Sequence, residues 1–351
     1  MTPRRYAILA PGTFASRSAK TAHGVIAYGA DATVAVVDPE HAGKRVRDVV
    51  AYLDSDAPIV ASVGDALRFE PTSLLIGVAP PGGALPAAWR AQIVRALDAG
   101  LEVVSGLHTF LGADAELTAA ATRARTTIWD VREPPPPRLF TGGANRAPAR
   151  IVLTVGTDCA VGKMTASLEL TRAARDRGVD ARFLATGQTG IVIAGTGVPI
   201  DRTISDFTSG AAEELVLANA HAELLFVEGQ GAINHPAFAA VTLGLLYGCA
   251  PDALVLVHIV RRTHMDGFGT PLLPLPRAIE LYEGLCATVK PARVAGIALN
   301  TAGLDDADAR AAISRATAET SLPCDDVVRF GPHALYAAIE PRLAAKTAAL
   351  C

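Results

Sequence analysis

The sequence predicts an α/β protein with two open parallel sheets, each covered by helices on both faces. Three observations favour this fold class. Short β-branched runs alternate with helical patterns along the 351 residues, nearly every predicted strand in the second half is continuously apolar, and a proline-rich segment divides the series. Half of the residues are hydrophobic and 19% are charged, which is typical of well-buried sheets rather than of disorder.

The first half, residues 1–133, is predicted to be a Rossmann-like open parallel sheet. Its helical segments carry apolar residues at helical spacing; in the segment 87–99, for example, Trp89, Ile93 and Leu97 share one face. The G-x-G-x-x-G fingerprint of dinucleotide binding is absent from this half. The predicted strands are residues 6–10, 33–38, 58–62, 74–78, 102–105 and 127–131.

Residues 134–149 are predicted to be a linker rich in proline and glycine. The run Glu133-Pro-Pro-Pro-Pro-Arg138 can continue neither a helix nor a central strand, and the pair Gly142-Gly143 with Pro148 prolongs the irregular stretch. A second domain is therefore expected over residues 150–351.

The second domain repeats the alternation of strands with helices such as the segment 165–177. Its predicted strands are residues 151–155, 182–185, 224–227, 253–259 and 294–299. Because open parallel sheets bind ligands beyond the carboxyl ends of their strands, we expect the chemistry in the residues that follow each strand.

The first of these strands runs directly into a glycine-rich turn, residues 156–163, with the sequence Gly-Thr-Asp-Cys-Ala-Val-Gly-Lys. We call this turn the phosphate loop, because such a turn holds phosphate with converging backbone N–H groups, the N-terminal end of the next helix and the lysine. It predicts a P-loop NTPase-like sheet. The spacing is irregular, since five residues separate the glycines and a methionine follows the lysine. The predicted cofactor-binding residues here are Gly156, Thr157, Asp158, Cys159, Ala160, Val161, Gly162, Lys163, Met164 and Thr165.

A turn without a ligand is the alternative interpretation of the phosphate loop. Cys159 is interpreted as a small residue that fills the loop, and a nucleophile with a pKa lowered by the helix N-terminus is the alternative.

Polar side chains also follow the second and third strands of this domain. Arg202 and Asp206 supply charges of both signs. Glu228 lies at the position where phosphate-loop proteins carry an acid that holds magnesium. It is also a candidate general base. The alternative interpretation is a carboxylate that caps the next helix. His235 is interpreted as a packing or capping histidine.

The fourth strand leads to Arg261, Arg262 and His264. Two adjacent arginines suit a carboxylate or phosphate, and an imidazole can carry a proton near neutral pH; a basic loop paired with surface acids is the alternative. Asn300 ends the fifth strand, where an amide can hydrogen-bond to a purine edge. In the first domain, the candidate substrate contacts after strands are Lys20 and His108.

Composition excludes several classes of partner. A net charge of −3 gives no basic footprint for nucleic acid or an anionic membrane, and no apolar stretch approaches the roughly 18–20 residues of a membrane span. We therefore expect a cytoplasmic protein. The five cysteines are scattered without a C-x-x-C pair, so we expect neither a disulfide framework nor a bound metal.

The phosphate loop, together with Val227-Glu228-Gly229, resembles dethiobiotin synthetase and its phosphate-loop relatives. A second resemblance covers almost the whole chain. It is to the bacterial DUF1611 family, a domain of unknown function of which some members are D-amino-acid N-acetyltransferases that act on D-glutamate. The segments that carry this resemblance are residues 10–25, 76–83, 105–108, 156–165, 228–231 and 264–266.

The resemblance to DUF1611 implies acetyl-CoA as the donor, D-glutamate or a similar D-amino acid as the acceptor, and N-acetyl-D-glutamate and CoA as the products. For this reaction we hypothesise His264 or Asp206 as the base, with Glu228 as a further catalytic candidate, and N–H groups of the phosphate loop as oxyanion donors. The hypothesised carboxylate anchors are Arg202, Arg261 and Arg262.

Two other functions stay open at this point. An ATP- and magnesium-dependent ligase or kinase like dethiobiotin synthetase is favoured by the phosphate loop and Glu228, and a nucleotide-binding protein without chemistry is favoured by the glycine-rich segment 187–197. A small-molecule substrate and a homo-oligomer are expected, the latter because so hydrophobic a chain is expected to expose an apolar helix face.

Overall fold

The computed structural model describes residues 3–78 and 85–343 and forms two compact units, each built on a six-stranded parallel sheet. The predicted fold class is confirmed. Among the described residues, the first unit runs to Glu133 and includes Gln188–Pro199, and the second takes Pro134–Gly187 and the chain from Ile200 onward. Residues 188–199 thus belong to the first unit, although they lie in the second half of the sequence. Residues 79–83, part of the family resemblance, lie outside the described residues.

The strands of the first unit agree in position with the six that the sequence predicts. They are β1 (Arg5–Leu9), β2 (Ala32–Val37), β3 (Ile59–Val60), β4 (Ser73–Ile76), β5 (Glu102–Ser105) and β6 (Ile128–Asp130). Their order in the sheet is β3-β2-β1-β4-β5-β6, with every neighbouring pair parallel. The direction of strand succession therefore reverses between β1 and β4.

Helices of the first half of the chain connect these strands. They are α1 (Lys20–Tyr28), α2 (Val46–Val49), α3 (Val63–Ala66), α4 (Ala87–Asp98) and α5 (Ala115–Ala124). The apolar face predicted for α4 is buried, with Trp89, Ile93 and Leu97 all turned inward.

The second unit contains the five predicted strands and one more at its edge. They are β7 (Arg150–Gly156), β8 (Ala181–Leu184), β9 (Leu224–Val227), β10 (Ala253–Ile259), β11 (Arg293–Asn300) and β12 (Cys324–Asp325). Their order is β12-β11-β10-β7-β9-β8, again all parallel. With two residues and no β-branched run, β12 is too short for a sequence pattern to predict.

The remaining helices follow β7 and the later strands. They are α6 (Lys163–Asp176), α7 (Gln188–Ala194), α8 (Thr208–Ala218), α9 (Ala239–Cys249), α10 (Leu275–Cys286), α11 (Asp306–Thr320) and α12 (His333–Leu343). Of these, α7 belongs to the first unit. In the described residues no helix is both long and apolar enough to cross a membrane.

Helices on both faces explain why the central strands of the second sheet are continuously apolar. Leu254, Val255 and Leu256 are consecutive in β10 and all fully buried. On the α6 side, Val255 packs in one cluster with Leu170 of α6 and Tyr336 of α12. A sheet buried in this way leaves only its strand ends to meet a ligand.

The segment predicted as a linker is fixed to the second unit by a buried acid of α8. Glu213 accepts hydrogen bonds from the N–H of Thr141 at 2.6 Å, the Thr141 hydroxyl at 2.9 Å and the N–H of Ala144 at 3.1 Å. Such hydrogen bonds to a buried carboxylate hold this part of residues 134–149 in one conformation.

Candidate functional site

The candidate site lies at the carboxyl edge of the second sheet, where β7 ends at Gly156 and α6 begins at Lys163. The phosphate loop joins the two. Gly162 has φ +112°, a left-handed conformation that an L side chain adopts only under strain, so glycine is required for the chain to enter α6 at this angle. The loop therefore presents the N-terminal end of a 14-residue helix, as the sequence predicts.

Lys163 places a cation inside this loop. Its side chain is only 7% exposed, and its ammonium donates to the carbonyl oxygen of Asp158 at 2.9 Å. Burial lowers the pKa of Lys163 to about 8, against the opposing influence of Cys159, Asp158 and Glu228. Keeping a cation beside the loop therefore costs the free energy of desolvating its ammonium group.

Glu228 follows β9 and is 5% exposed. One of its carboxylate oxygens, Oε2, accepts from the N–H groups of Thr186 at 3.0 Å and Gly187 at 3.1 Å. Burial raises the pKa of Glu228 to about 7, although these hydrogen bonds and Lys163 favour the charged form. Both amides belong to the loop after β8, so the carboxylate fastens two strand ends together and does not cap the next helix.

Asp158 is fully buried and ties the phosphate loop to the loop after β10. Its carboxylate accepts from the N–H of Cys159 at 2.7 Å, the guanidinium of Arg262 at 2.8 Å and the N–H of Asp266 at 2.8 Å. Arg262 also donates to the carbonyl oxygen of Cys159 at 2.6 Å. Arg262 therefore braces the loop, and its role as a substrate anchor stays a prediction.

Asp158, Cys159 and His235 bring one potential metal-ligand atom each within 4.8 Å of one another. His235 is 1% exposed, and its Nε2 has no hydrogen-bond partner among the described residues and lies 3.7 Å from Asp158 Oδ1. Because its Nδ1 accepts from the N–H of Ala237 at 3.1 Å, the neutral ring carries its proton on Nε2.

This tautomer does not fit a metal site. A ligating histidine offers a lone pair to the metal and donates from its other nitrogen, whereas His235 accepts at that other nitrogen. Phe238 stacks on the ring at 4.8 Å and Phe268 meets it edge-on at 5.0 Å, so His235 is also a packing residue, as the sequence suggests.

The Cys159 thiol has a pKa raised by burial, which keeps it protonated. This favours the interpretation as a loop-filling residue over that as a nucleophile. Asn300, at the end of β11, donates from its amide to the carbonyl oxygen of Val161 at 3.2 Å and so braces the same loop. Met164 and Thr165 are half-buried in the first turn of α6.

Other predicted residues of the second half lie on exposed segments. His264 is exposed in an isolated bridge with Pro271 and shares a hydrogen bond with the Thr263 hydroxyl at 3.0 Å. Arg261 donates to the carbonyl oxygen of Gly303 at 3.1 Å, which lies outside the phosphate loop. Asp206 and Arg202 are exposed in two separate 3₁₀ turns.

The two candidate substrate contacts of the first half belong to the first unit. Lys20 is exposed as the first residue of α1, and His108 is exposed three residues after β5 ends. They remain predictions for that unit alone.

Some side chains that sequence reasoning did not single out also contact the phosphate loop. His258, near the end of β10, shares a hydrogen bond between its Nδ1 and the Thr157 hydroxyl at 2.9 Å, and burial with nearby Arg262 lowers its pKa to about 4. A histidine inside an apolar strand was the available signal. Tyr282 of α10 donates to the carbonyl oxygen of Gly156 at 2.8 Å, and no local sequence pattern predicts that contact.

Comparisons with known proteins cover both units. The model of the DUF1611 N-terminal Rossmann-like domain matches residues 39–134, and that of the DUF1611 C-terminal P-loop domain matches residues 138–336. Both are described as domains of unknown function.

Two curated relatives, from Pseudoalteromonas sp. and Tritonibacter scottomollicae, are each named D-glutamate N-acetyltransferase and are each 38% identical to this chain. The first alignment covers 79% of this chain and 83% of the relative, and the second covers 76% and 80%. A crystal structure of a DUF1611 family protein from Anabaena variabilis is 42% identical, with a TM-score of 0.92 over 96% of this chain and 99% of that one.

Proposed function

Because the chain belongs to the DUF1611 family, we propose that it is an N-acetyltransferase that moves the acetyl group of acetyl-CoA to the amino group of D-glutamate or a similar D-amino acid. The observation that carries this proposal is the 38% identity to two D-glutamate N-acetyltransferases over more than three quarters of the chain. The geometry of the phosphate loop supports it independently, because the donor is a phosphate-bearing coenzyme.

The phosphate loop suits the coenzyme's phosphates better than a magnesium nucleotide. Backbone N–H groups at the start of α6 and the ammonium of Lys163 are donors for phosphate oxygens. Met164 takes the position after the lysine, where phosphate loops that hold magnesium carry a hydroxyl. Thr165 comes one residue later and so projects from a different side of the helix.

Bound acetyl-CoA supplies an activated thioester carbonyl. The acceptor's ammonium group first gives one proton to the chain; its amine then forms the C–N bond as the C–S bond breaks, and the amine's second proton goes to the CoA thiolate. We propose Glu228 for the first proton, because a carboxylate whose pKa is about 7 is half ionised near neutral pH. His264 and Asp206 are the alternative bases, and both are exposed.

The test is a thiol-release assay on the purified full chain. Acetyl-CoA is incubated with a panel of D- and L-amino acids, and free CoA thiol is measured with the wild type, Glu228→Gln and Lys163→Met. We expect release with D-glutamate, a loss of at least about 100-fold in both variants, and no change in Glu280→Gln, an exposed acid of α10. Wild-type protein that releases no thiol with any amino acid would contradict the proposal.

An ATP- and magnesium-dependent ligase or kinase is the second candidate, favoured by the match to a P-loop domain. The same protein incubated with ATP and magnesium, with phosphate measured, separates the two. Phosphate release without thiol release supports the ligase or kinase, and coenzyme or nucleotide binding without either product supports a binding protein.

A further inference from the structure

The first unit has the strand order that creates a dinucleotide-binding crevice. In a parallel sheet of this order, ligands bind outside the carboxyl ends of the strands at the point where the succession reverses, with the pyrophosphate against the helix that follows the first strand. Here the reversal lies between β1 and β4, and the helix is α1. The first turn of α1 and the residues directly after β5 lie at this edge of the sheet.

Helix α7 reaches across this crevice. The hydroxyl of Thr189 hydrogen-bonds to that of Thr21, the second residue of α1, at 2.9 Å, and both side chains are buried. Gln188 packs over Gly106, which directly follows β5. A Cβ atom added to Gly106 would lie 1.9 Å from the Gln188 side-chain oxygen, so glycine is needed for this close approach.

Two polar groups at positions where dinucleotide-binding domains contact their ligand have partners within the unit, whereas the side-chain nitrogen of Gln188 has no hydrogen-bond partner among the described residues. The acid after β2, which in dinucleotide-binding domains holds ribose hydroxyls, is Asp38; it is fully buried and accepts from the N–H of Gly12 and from Nδ1 of His41, both at 2.7 Å. In the first turn of α1, the N–H of Ala22 donates to the carbonyl oxygen of Gly77 at 2.9 Å.

We infer that the crevice of the first unit is the binding surface for α7 of the same chain, and that this unit therefore binds no dinucleotide or other adenosine phosphate. Binding a dinucleotide there would require displacing Gln188 and Thr189 and breaking the hydrogen bonds of Asp38. The phosphate loop of the second unit is then left as the proposed site for a nucleotide or coenzyme. The contacts of α7 within the first unit do not depend on the proposed acetyl transfer.

Equilibrium titration of the full chain with NAD⁺, NADP⁺, ADP and CoA tests the inference. We expect no binding of NAD⁺ or NADP⁺ at the first unit, at most one site per chain for ADP or CoA, and loss of that site in Lys163→Met. Dinucleotide binding that survives Lys163→Met, or two sites per chain, would overturn it. If the wild type binds none of the four ligands, the inference stands and the proposed donor fails.

Hydrogen exchange on the ligand-free full chain tests separately whether α7 is stably packed within the first unit. We expect the amides of residues 188–194 to exchange as slowly as those of α1, and Thr189→Val to accelerate their exchange by about tenfold, because one buried hydrogen bond is lost. Thr317→Val, an exposed threonine of α11, is the matched control and should leave this segment unchanged. Rapid exchange of residues 188–194 in the wild type would contradict the inference.

Discussion

Lys163 and Glu228 are buried ionisable side chains at the carboxyl edge of one sheet, and burial opposes the charged form of each. When the pKa values of two neighbouring groups both shift toward neutral pH, the site is typically one where charge serves binding or proton transfer and lowers stability. Asp158 is equally buried, but hydrogen bonds from Arg262 and two backbone amides compensate its charge. The first two residues are therefore expected to limit stability and the third to support it.

Replacing Glu228 with Gln should stabilise the protein in a pH-dependent way. The raised pKa means that the folded state favours the protonated carboxyl, so the stability of the wild type falls as the pH rises from about 4.5 through about 7. Relative to Glu228→Gln, the wild type should lose up to about 3 kcal/mol over this range, because each pKa unit corresponds to about 1.4 kcal/mol.

Denaturant unfolding of both proteins at a series of pH values measures this difference. Glu280→Gln on the exposed face of α10 is the control and should show a difference that does not change with pH by more than about 0.5 kcal/mol. A free-energy difference between wild type and Glu228→Gln that stays constant from about pH 4 to about pH 8 would refute the raised pKa.

Removing the carboxylate of Asp158 should have the opposite effect on stability. Asp158→Ala leaves the guanidinium of Arg262 and the N–H groups of Cys159 and Asp266 without their acceptor, which should cost about 3 kcal/mol or more. The KM for acetyl-CoA should rise because the phosphate loop loses its brace.

Thermal or denaturant unfolding with steady-state kinetics checks both parts of this prediction. Arg277→Ala, which removes an exposed ion pair with Glu280, should cost less than about 1 kcal/mol and leave KM unchanged. An Asp158→Ala protein as stable as Arg277→Ala would show that the buried carboxylate does not brace the loop.

Helix α6 is flanked by two glycines in left-handed conformations. Gly162 has φ +112° at the phosphate loop, and Gly178 has φ +84° beyond the other end, with no atom of the described residues within 4 Å of an added Cβ. Alanine at either position should cost about 1–2 kcal/mol of backbone strain. Only Gly162→Ala should weaken acetyl-CoA binding, since it alone changes how the loop enters the helix.

Unfolding and coenzyme titration of the two alanine variants measure this contrast. Equal loss of stability with a selective loss of affinity in Gly162→Ala is the expected result. Equal affinities in the two variants would mean that the start of α6 does not contact the coenzyme.

The positions of the main strands along the chain can be predicted from the sequence. Strands covered on both faces must be apolar throughout, and their ends must then carry the polar residues. The same physical reasoning predicts that Lys163, Glu228 and Asn300 lie at one edge of the sheet. It does not reveal that Arg262 is bound to Asp158, because that hydrogen bond joins residues 104 positions apart. The packing of α7 within the first unit cannot be predicted from the sequence for the same reason, because Thr21 and Thr189 are 168 positions apart.

The two units have similar sheets but differ in the groups that lie at the carboxyl ends of their strands. The second unit carries the phosphate loop and its buried charges. The first unit, although Rossmann-like, uses its crevice to bind α7. Cytoplasmic location and a homo-oligomeric state stay predictions from composition.

We propose that the phosphate loop binds the phosphate groups of acetyl-CoA. A crystal structure of the full chain with acetyl-CoA would show whether these contacts form. We expect coenzyme phosphate oxygens within hydrogen-bonding distance of the backbone N–H groups at the start of α6 and of the Lys163 ammonium. Coenzyme bound with its phosphates elsewhere, and a phosphate loop that contacts none of them, would contradict the claim.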